Sequence, residues 1–504
     1  MAHLGTTQSP IDTEDNLTLD PENWSALREV AHRALDEALD FQMSVRDKPV
    51  WRPVPEQTEA LLSSPAPSAG QDAETVVEDM LRHIVSYPAG HAHPRFWGWV
   101  CGTGTPIGML ADMLAAGVNA SSGTFNDAPS RVEAQVLRWM RDLFDFPEGA
   151  SGIVTSGASV ANIIGMAVGR DVVLTEDVRG QGLGSVAGTP TVYASEQVHS
   201  SVDKAMQLLG LGLKNLRKVP VDEAYRMRVD VLATMIAEDR EAGCRPIVVI
   251  GNAGTVNTGA IDDLEAIAAL ARREALWFHV DGAIGALAAI SPRLRPRLRG
   301  LSQADSIAFD FHKWLYVPYE AGCVLIRDGE QHRRSFSAAA SYLETPARGI
   351  AAMADSSNTR GPQLSRGFKA LKVWAQIREF GFDRLGRLHD QNVAHVQHLA
   401  RLVDAAPGLE LMAPAPLNIL CFRYVPSSLP ETAWDAVNQE LLMRLQEDGI
   451  AAPSSTRLRG HFVLRVANTN HRSRREDFDL LVCETLRLGG EIEAAWAAGK
   501  TPAT

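Results

Sequence analysis

The sequence predicts an α/β chain: a mostly parallel central sheet with helices on both faces, preceded by a helical extension and followed by an α+β unit. Three observations predict it. Between Ser151 and about Arg327, short continuous apolar runs alternate with stretches of helical periodicity, the pattern of right-handed βαβ crossovers whose strands are buried on both faces. Residues 1 to about 90 carry helical patterns but too little apolar sequence for a core of their own. Beyond about residue 380, strand-like runs at Leu417–Tyr424 and His461–Val466 interleave with helices, which reads as a small α+β domain. The expected division is 1–90, 91–380 and 381–504.

Composition narrows the function classes. The chain has 504 residues, 45% hydrophobic and 22% charged, enough for a large core. Forty-nine basic residues stand against 61 acidic ones, a net charge of −12, which argues against nucleic-acid or anionic-membrane binding and for small-molecule partners. The five cysteines show neither CxxC nor metal-ligand spacing, so a reducing compartment is expected and a structural metal site is not. The N-terminus is polar and acidic, and no run approaches the roughly 18 apolar residues of a membrane span. The expected location is the cytoplasm.

Taken in order, Ala26–Asp40 has helical apolar spacing, Pro53–Gly70 reads as a Pro/Ser/Ala-rich linker, and Ala73–Ser86 as a second helix. This extension is expected to pack on the main body or to clasp a second subunit, the clasp being favoured. His91–Pro106, HAHPRFWGWVCGTGTP, crowds aromatic residues and glycines into a loop that either lines a site or plugs a core. Helical patterns follow at Gly108–Val118 and Arg131–Phe144.

Ser151–Arg170 runs from an apolar strand through Thr155-Ser156-Gly157-Ala158-Ser159 into an apolar helix. Small residues let the backbone approach an anion, and the free amides and positive dipole end of the helix favour it. The stretch has neither the triphosphatase lysine motif nor a dinucleotide fingerprint, so a single phosphate is the economical ligand. Thr191–Ser195 reads as a strand that places His199 at a strand-to-helix junction, where it stacks on a flat ring or caps a turn. Pro246–Gly251 is another buried strand, leading into the polar turn 252–259 with Thr255, and Asp263–Arg273 is helical.

Leu276–Ala283, LWFHVDGA, ends an apolar strand in Asp281, and Ala304–Tyr316, ADSIAFDFHKWLY, delivers Lys313 after a short apolar run. A buried amine loses its charge readily and becomes a nucleophile toward carbonyls, which is how a lysine forms a Schiff base with pyridoxal phosphate. A strand-end carboxylate can keep that cofactor's ring nitrogen protonated, making the ring an electron sink. In open α/β sheets ligands bind at the carboxyl ends of strands, where these candidates fall. Glu344–Ser365 is small-residue rich and unpatterned, a lid or a plain surface loop. Helical patterns at Phe368–Phe380 and Arg384–Ala405 lead into the C-terminal part.

With HVDGA at 279–283, His312-Lys313-Trp314, HPRF at 93–96 and LADML at 110–114, the sequence resembles the group II pyridoxal-phosphate-dependent amino-acid decarboxylases, from about residue 20 to 490. The resemblance implies an aspartate-aminotransferase-like (type I) fold, a homodimer with the site at its interface, and decarboxylation of an L-amino acid, aromatic ones included. It implies that Lys313 carries the cofactor, that Asp281 partners the ring nitrogen, that Ala283 lies under the ring and His199 stacks on it. Gly157, Ala158, Ser159, Ser306 and His312 resemble phosphate-side ligands, and Thr255 joins the cofactor-binding candidates. Trp97, Trp99 and Val100 are expected on one substrate wall. Ala120–Gly123 and Phe125 are expected to come across the interface. Many members carry a catalytic tyrosine in the mobile loop. Around that position this chain offers Ser356, Ser357 and Asn358, with no tyrosine between Tyr342 and Tyr424. The alternative outcome is therefore oxidative deamination coupled to decarboxylation, giving an aldehyde.

Overall fold

The computed structural model describes residues 18–337, 348–353 and 357–499. The chain divides into two compact units, one formed by 1–44 and 53–88, the other by 45–52 and 89–504.

The first unit holds helices Trp24–Ser44, Glu56–Leu62 and Ala73–Asp79. Side chains start two of them: Asn23 accepts the Ser25 and Ala26 amides, and Asp72 accepts that of Thr75 at 2.8 Å, satisfying donors a helix start leaves open. Thr58 is the one buried residue among those described here. The expected linker Pro53–Gly70 is corrected in part, because Glu56–Leu62 within it is helical, with two glutamates in the first turn where the helix dipole favours them.

In the second unit the large sheet comprises β1 (Ser151–Thr155), β2 (Pro190–Ser195), β3 (Leu216–Val219), β4 (Arg245–Asn252), β5 (Trp277–Asp281), β6 (Ser306–Asp310) and β7 (Gly322–Ile326). Its order is β1-β7-β6-β5-β4-β2-β3. Strands β3, β2, β4, β5 and β6 pair in parallel, while β7 runs antiparallel between β6 and β1. The sequence reading did not name β3 or β7. Alternate residues feed two cores, as a pleated strand buried on both faces requires. Val248 and Ile250 of β4 pack with Ile164 and Val202 on one face, and Val249 joins Phe278, Ile267 and Val373 on the other.

A second, antiparallel sheet has the order β10-β11-β9-β8, built from β8 (Leu409–Leu411), β9 (Ile419–Tyr424), β10 (Ser454–Leu458) and β11 (His461–Ala467). Phe422, Leu464 and Val466 pack with Leu441 and Phe478 of the helices Trp434–Glu447 and Arg475–Ala497. The long helix Ala370–Ala405 leads into this part and breaks at Gly381, whose φ of 64° no helix accommodates. That break separates the two helical stretches read from the sequence.

Candidate active site

A cleft of ≈ 280 Å³ opens at the carboxyl ends of β4 and β5. Asn252 ends β4, Asp281 ends β5, Lys313 follows β6 in a one-turn helix, and His199 follows β2; all four line it. Ala283 lines it too, and Trp99, Val100 and Ile284 add apolar lining. Ser454, Ser455 and Arg465 reach in from the small sheet.

The Lys313 side chain is a fifth exposed, and its Nζ lies 2.8 Å from the carboxylate of Asp310. Asp310 also accepts the Ala158 amide at 2.7 Å. A carboxylate of the chain itself thus engages the start of the helix Ala158–Val173, where helix polarity favours an anion. Gly102 lets the loop 97–105 pack against the lysine turn. Its amide donates to the His312 carbonyl at 3.1 Å, and a Cβ there would stand 2.2 Å from that oxygen.

Asp281 is 5% exposed. Its carboxylate accepts from Asn162 Nδ2 and the Ala283 amide, both at 3.1 Å. No cationic side chain among the described residues pairs with it. A buried carboxylate with neutral donors alone is costly unless a cation completes it, and it faces the cleft that holds Lys313. His199 Nδ1 accepts the Ser201 amide at 3.1 Å and lies 2.9 Å from the Ser201 hydroxyl. Burial lowers the His199 pKa from its ordinary value, so the ring facing the cleft is neutral. These residues fit pyridoxal phosphate: an amine, an uncompensated carboxylate and a neutral flat ring surround one hollow.

Other candidates fall into place less evenly. His312 is buried beside the cradle, where a Cβ on Gly157 would stand 3.4 Å from its ring, and Ser159 is exposed on the first turn of the helix. Ser306 is a correction. The register Ser151↔Ile326↔Ser306 puts it at the other end of the sheet from Thr155↔Gly322↔Asp310, about 13 Å along the strand. Its hydroxyl engages Trp277 and His279, so it does not face the cradle. Thr255 is another, because its hydroxyl is spent inside its own turn, on Thr258 and the Ala260 amide.

Trp97 is a third correction: it is wholly buried, stacks on Phe478 at 4.7 Å and donates to Ser473. Both readings of the aromatic loop hold, for different residues. Phe125 does not line the cleft of its own chain. Ser356 lies outside the described residues. Ser357 is buried against Gly123 and Arg366, and Asn358 accepts from Thr124, so neither lines the cleft.

The sequence reading missed Asn162, Ser201, Asp310 and Arg465. Asn162 carried a signal as a lone amide within the apolar run of ASVANIIGMAVG, one turn beyond Ser159. Asp310 ends a strand as Asp281 does. Arg465 is 3% exposed and bonds the carbonyls of Trp99, Val256 and Asn257 and the Ser454 hydroxyl, with no carboxylate partner among the described residues. It gives one wall a positive charge.

The profile of the pyridoxal-dependent decarboxylase conserved domain matches residues 55–425. Across 486 residues the chain is 30% identical to an aromatic-L-amino-acid decarboxylase of Bacillus atrophaeus, covering 96% of this chain and 98% of that protein. It is 28% identical over 460 residues to a phenylacetaldehyde synthase of Arabidopsis thaliana, covering 89% and 93%. Among solved structures it resembles Oryza sativa TDC with PLP and tryptamine, with TM-score 0.86, 26% identity and coverage of 94% and 100%. The chain belongs to the pyridoxal-dependent decarboxylases. It has the type I fold of that family and is a pyridoxal-phosphate-dependent carboxy-lyase acting on an amino acid. Among the described residues, no helix is long and apolar enough to cross a membrane.

Proposed function

We propose that the cleft decarboxylates an L-amino acid with an aromatic side chain to its amine. Lys313 is assigned to carry the cofactor, Asp281 to face its ring nitrogen, Ala283 and His199 to flank the ring, and Gly157, Ala158, Ser159 and His312 to surround its phosphate. The observation that carries this assignment is the shared hollow of Lys313 and Asp281, the latter buried without a cationic partner among the described residues. When bound, pyridoxal phosphate supplies an electron sink for the pair left on the substrate's α-carbon.

The chain's own residues supply orientation. Asp281 holds a proton at the ring nitrogen, and neutral His199 adds a flat surface without repelling that charge. Trp99, Val100 and Ile284 favour an aromatic side chain and exclude water from it. The Arg465 charge attracts the substrate carboxylate. Curated relatives named tyrosine decarboxylase (Petroselinum crispum) and tryptophan decarboxylase (Oryza sativa) support the aromatic class.

The test is CO2 release from a panel of L-amino acids with product identification. Lys313→Ala is expected to lose the visible absorption of lysine-bound cofactor, and Asp281→Ala to lose several orders of magnitude in turnover. Near-normal turnover in Asp281→Ala overturns the assignment.

The second reading is aldehyde formation, favoured by two observations: relatives named phenylacetaldehyde synthase and the absence of tyrosine from 343 to 423. There one dioxygen is reduced to hydrogen peroxide, one water supplies the aldehyde oxygen, and CO2 and ammonia leave. Oxygen uptake with ammonia release selects it, and amine formation without oxygen uptake rejects it.

We also propose the division 1–90, 91–380 and 381–504, and a homodimer in which the first segment clasps a second copy and Phe125 serves the neighbouring site. The extension leaves Trp24, Met43, Leu62 and Ile84 exposed, apolar surface that a partner would cover. Sedimentation should give twice the chain mass, and replacing the exposed Trp24, Met43, Leu62 and Ile84 by serine should leave monomer. A reducing cytoplasm suits five cysteines that are all free.

A further inference from the structure

Beneath the cleft, polar side chains form one connected line through the α/β core. Trp277 Nε1 lies 2.8 Å from Ser306 Oγ, which lies 2.7 Å from His279 Nδ1. His279 Nε2 lies 2.9 Å from Asn162 Oδ1. Asn162 Nδ2 lies 3.1 Å from Asp281 Oδ2 and 3.0 Å from Ser201 Oγ, and that hydroxyl meets His199 Nδ1 at 2.9 Å. Ser306, His279 and Asn162 are wholly buried, and Trp277, Ser201 and Asp281 are 5% exposed or less.

The protons on this line can be assigned from both ends. An indole nitrogen only donates, so Ser306 accepts from Trp277 and passes its own hydrogen to His279 Nδ1. His279 then carries its hydrogen on Nε2 and donates to Asn162 Oδ1. From the other end, an ionised carboxylate only accepts, so Asn162 must turn its NH2 toward Asp281, which again leaves Oδ1 for a donor on His279. The second amide hydrogen goes to Ser201, whose hydroxyl donates to His199 Nδ1. That nitrogen also accepts the Ser201 amide, so the hydrogen of neutral His199 sits on Nε2. The two derivations agree at every atom, and each side chain has one way to satisfy all its bonds.

We propose that Asn162 is a positioning residue: it orients Asp281 toward the cofactor's ring nitrogen and, through Ser201, holds His199 as the Nε2–H tautomer, its own amide being fixed by the line His279, Ser306 and Trp277. The proposal rests on the reading that Asp281 faces that nitrogen. The helix Ala158–Val173 is shaped for the task. It carries Asn162 and, three residues on, Gly165, where a Cβ would stand 2.6 Å from the His279 ring and 3.1 Å from Ser306 Oγ. Burial pushes the His279 pKa down to about 4, so its ring keeps one hydrogen at neutral pH. Ser306, misplaced by the sequence reading as a phosphate ligand, thereby gains a part in the site two residues removed from Asp281.

The test uses the full chain labelled with ¹⁵N-histidine, the His279 signals being identified by their loss in His279→Gln and those of His199 by their loss in His199→Gln. Without added cofactor, both rings are expected as neutral Nε2–H tautomers, and Asn162→Ala, which removes the acceptor of the Nε2 hydrogen, is expected to release His279 into a mixture. With pyridoxal phosphate titrated in, Asn162→Ala is expected to raise the cofactor Kd roughly tenfold, the worth of one hydrogen bond to a charged group, and to shift the pH profile of the bound cofactor's absorption. Ser306→Ala, which touches no part of the cleft, is expected to shift that profile in the same direction, and it decides the matter if Asn162→Ala fails to fold. An Nδ1–H or cationic His279 in the wild type overturns the proposal. So do wild-type cofactor affinity and pH profile in the variants. A wild type that takes up no pyridoxal phosphate sinks the cofactor assignment instead, and the histidine spectrum still decides the line of hydrogen bonds.

Discussion

Arg465 Nη1 donates to the carbonyl of Trp99 at 2.6 Å, so a strand of the small sheet holds the outer apolar wall of the cleft. The same guanidinium bonds the Val256 and Asn257 carbonyls at the turn after β4. Only a planar fork with several donors can bridge both walls, and a lysine presents a point charge. Arg465→Lys is therefore expected to keep the charge but loosen Trp99. Steady-state kinetics should show KM raised roughly tenfold with kcat changed less than about threefold. A drop confined to kcat would contradict this role.

Trp97 and Trp99 differ in the property they should disturb. Trp97 is wholly buried against Phe478, whereas Trp99 is 61% exposed on the cleft wall. Trp97→Ala is expected to cost about 3–5 kcal/mol in denaturant unfolding. Trp99→Ala is expected to leave the unfolding midpoint nearly unchanged and to raise KM for aromatic substrates.

Glu133 and Arg366 form an ion pair at 2.7 Å with each side chain only 3% exposed. The Glu133 carboxylate also accepts from the Ser122 hydroxyl and the Val154 amide. Removing one partner leaves the other charge buried and unpaired, so Glu133→Ala should cost about 3–5 kcal/mol. Glu133→Gln, which keeps an acceptor, should cost less. Equilibrium unfolding in urea measures both.

Burial holds His279 and His389 at a pKa of about 4, well below the ordinary imidazole value. Above pH 6.5 both folded and unfolded chains are neutral at these rings, and stability does not depend on them. Between about pH 6.5 and 4 the unfolded chain takes up protons the folded chain refuses, so stability falls as pH falls, by on the order of 3 kcal/mol for each ring. Thermal unfolding measured from pH 8 to 4 should be flat at first and then decline. His389→Gln should reduce the slope of the decline, and an unchanged slope would refute this source.

Much of the site was legible because its chemistry lies at strand ends, and strands declare themselves by apolar runs. Asp281 and Lys313 close such runs, and His199 follows another. The same rule applied to SIAFD would have raised Asp310, a second carboxylate at a strand end. What could not be read was packing. Ser306 opens β6 and Asp310 closes it, so the strand-end rule already pointed to Asp310, but that Ser306 would meet Trp277 and His279 was set by the neighbouring strand. Trp97 and Trp99 sit two positions apart, and only the packing of Phe478 distinguishes the plug from the wall.

By itself the sequence determined the alternating α/β plan and the covalent chemistry available, because periodicity and residue type are local properties of the chain. The tertiary structure decided which polar groups meet: Asn162 with Asp281, Arg465 with Trp99, Ser306 with Trp277. Hydrogen bonds reach about 3 Å, so partners 29 to 366 residues apart in sequence are chosen by how the sheet and its helices pack.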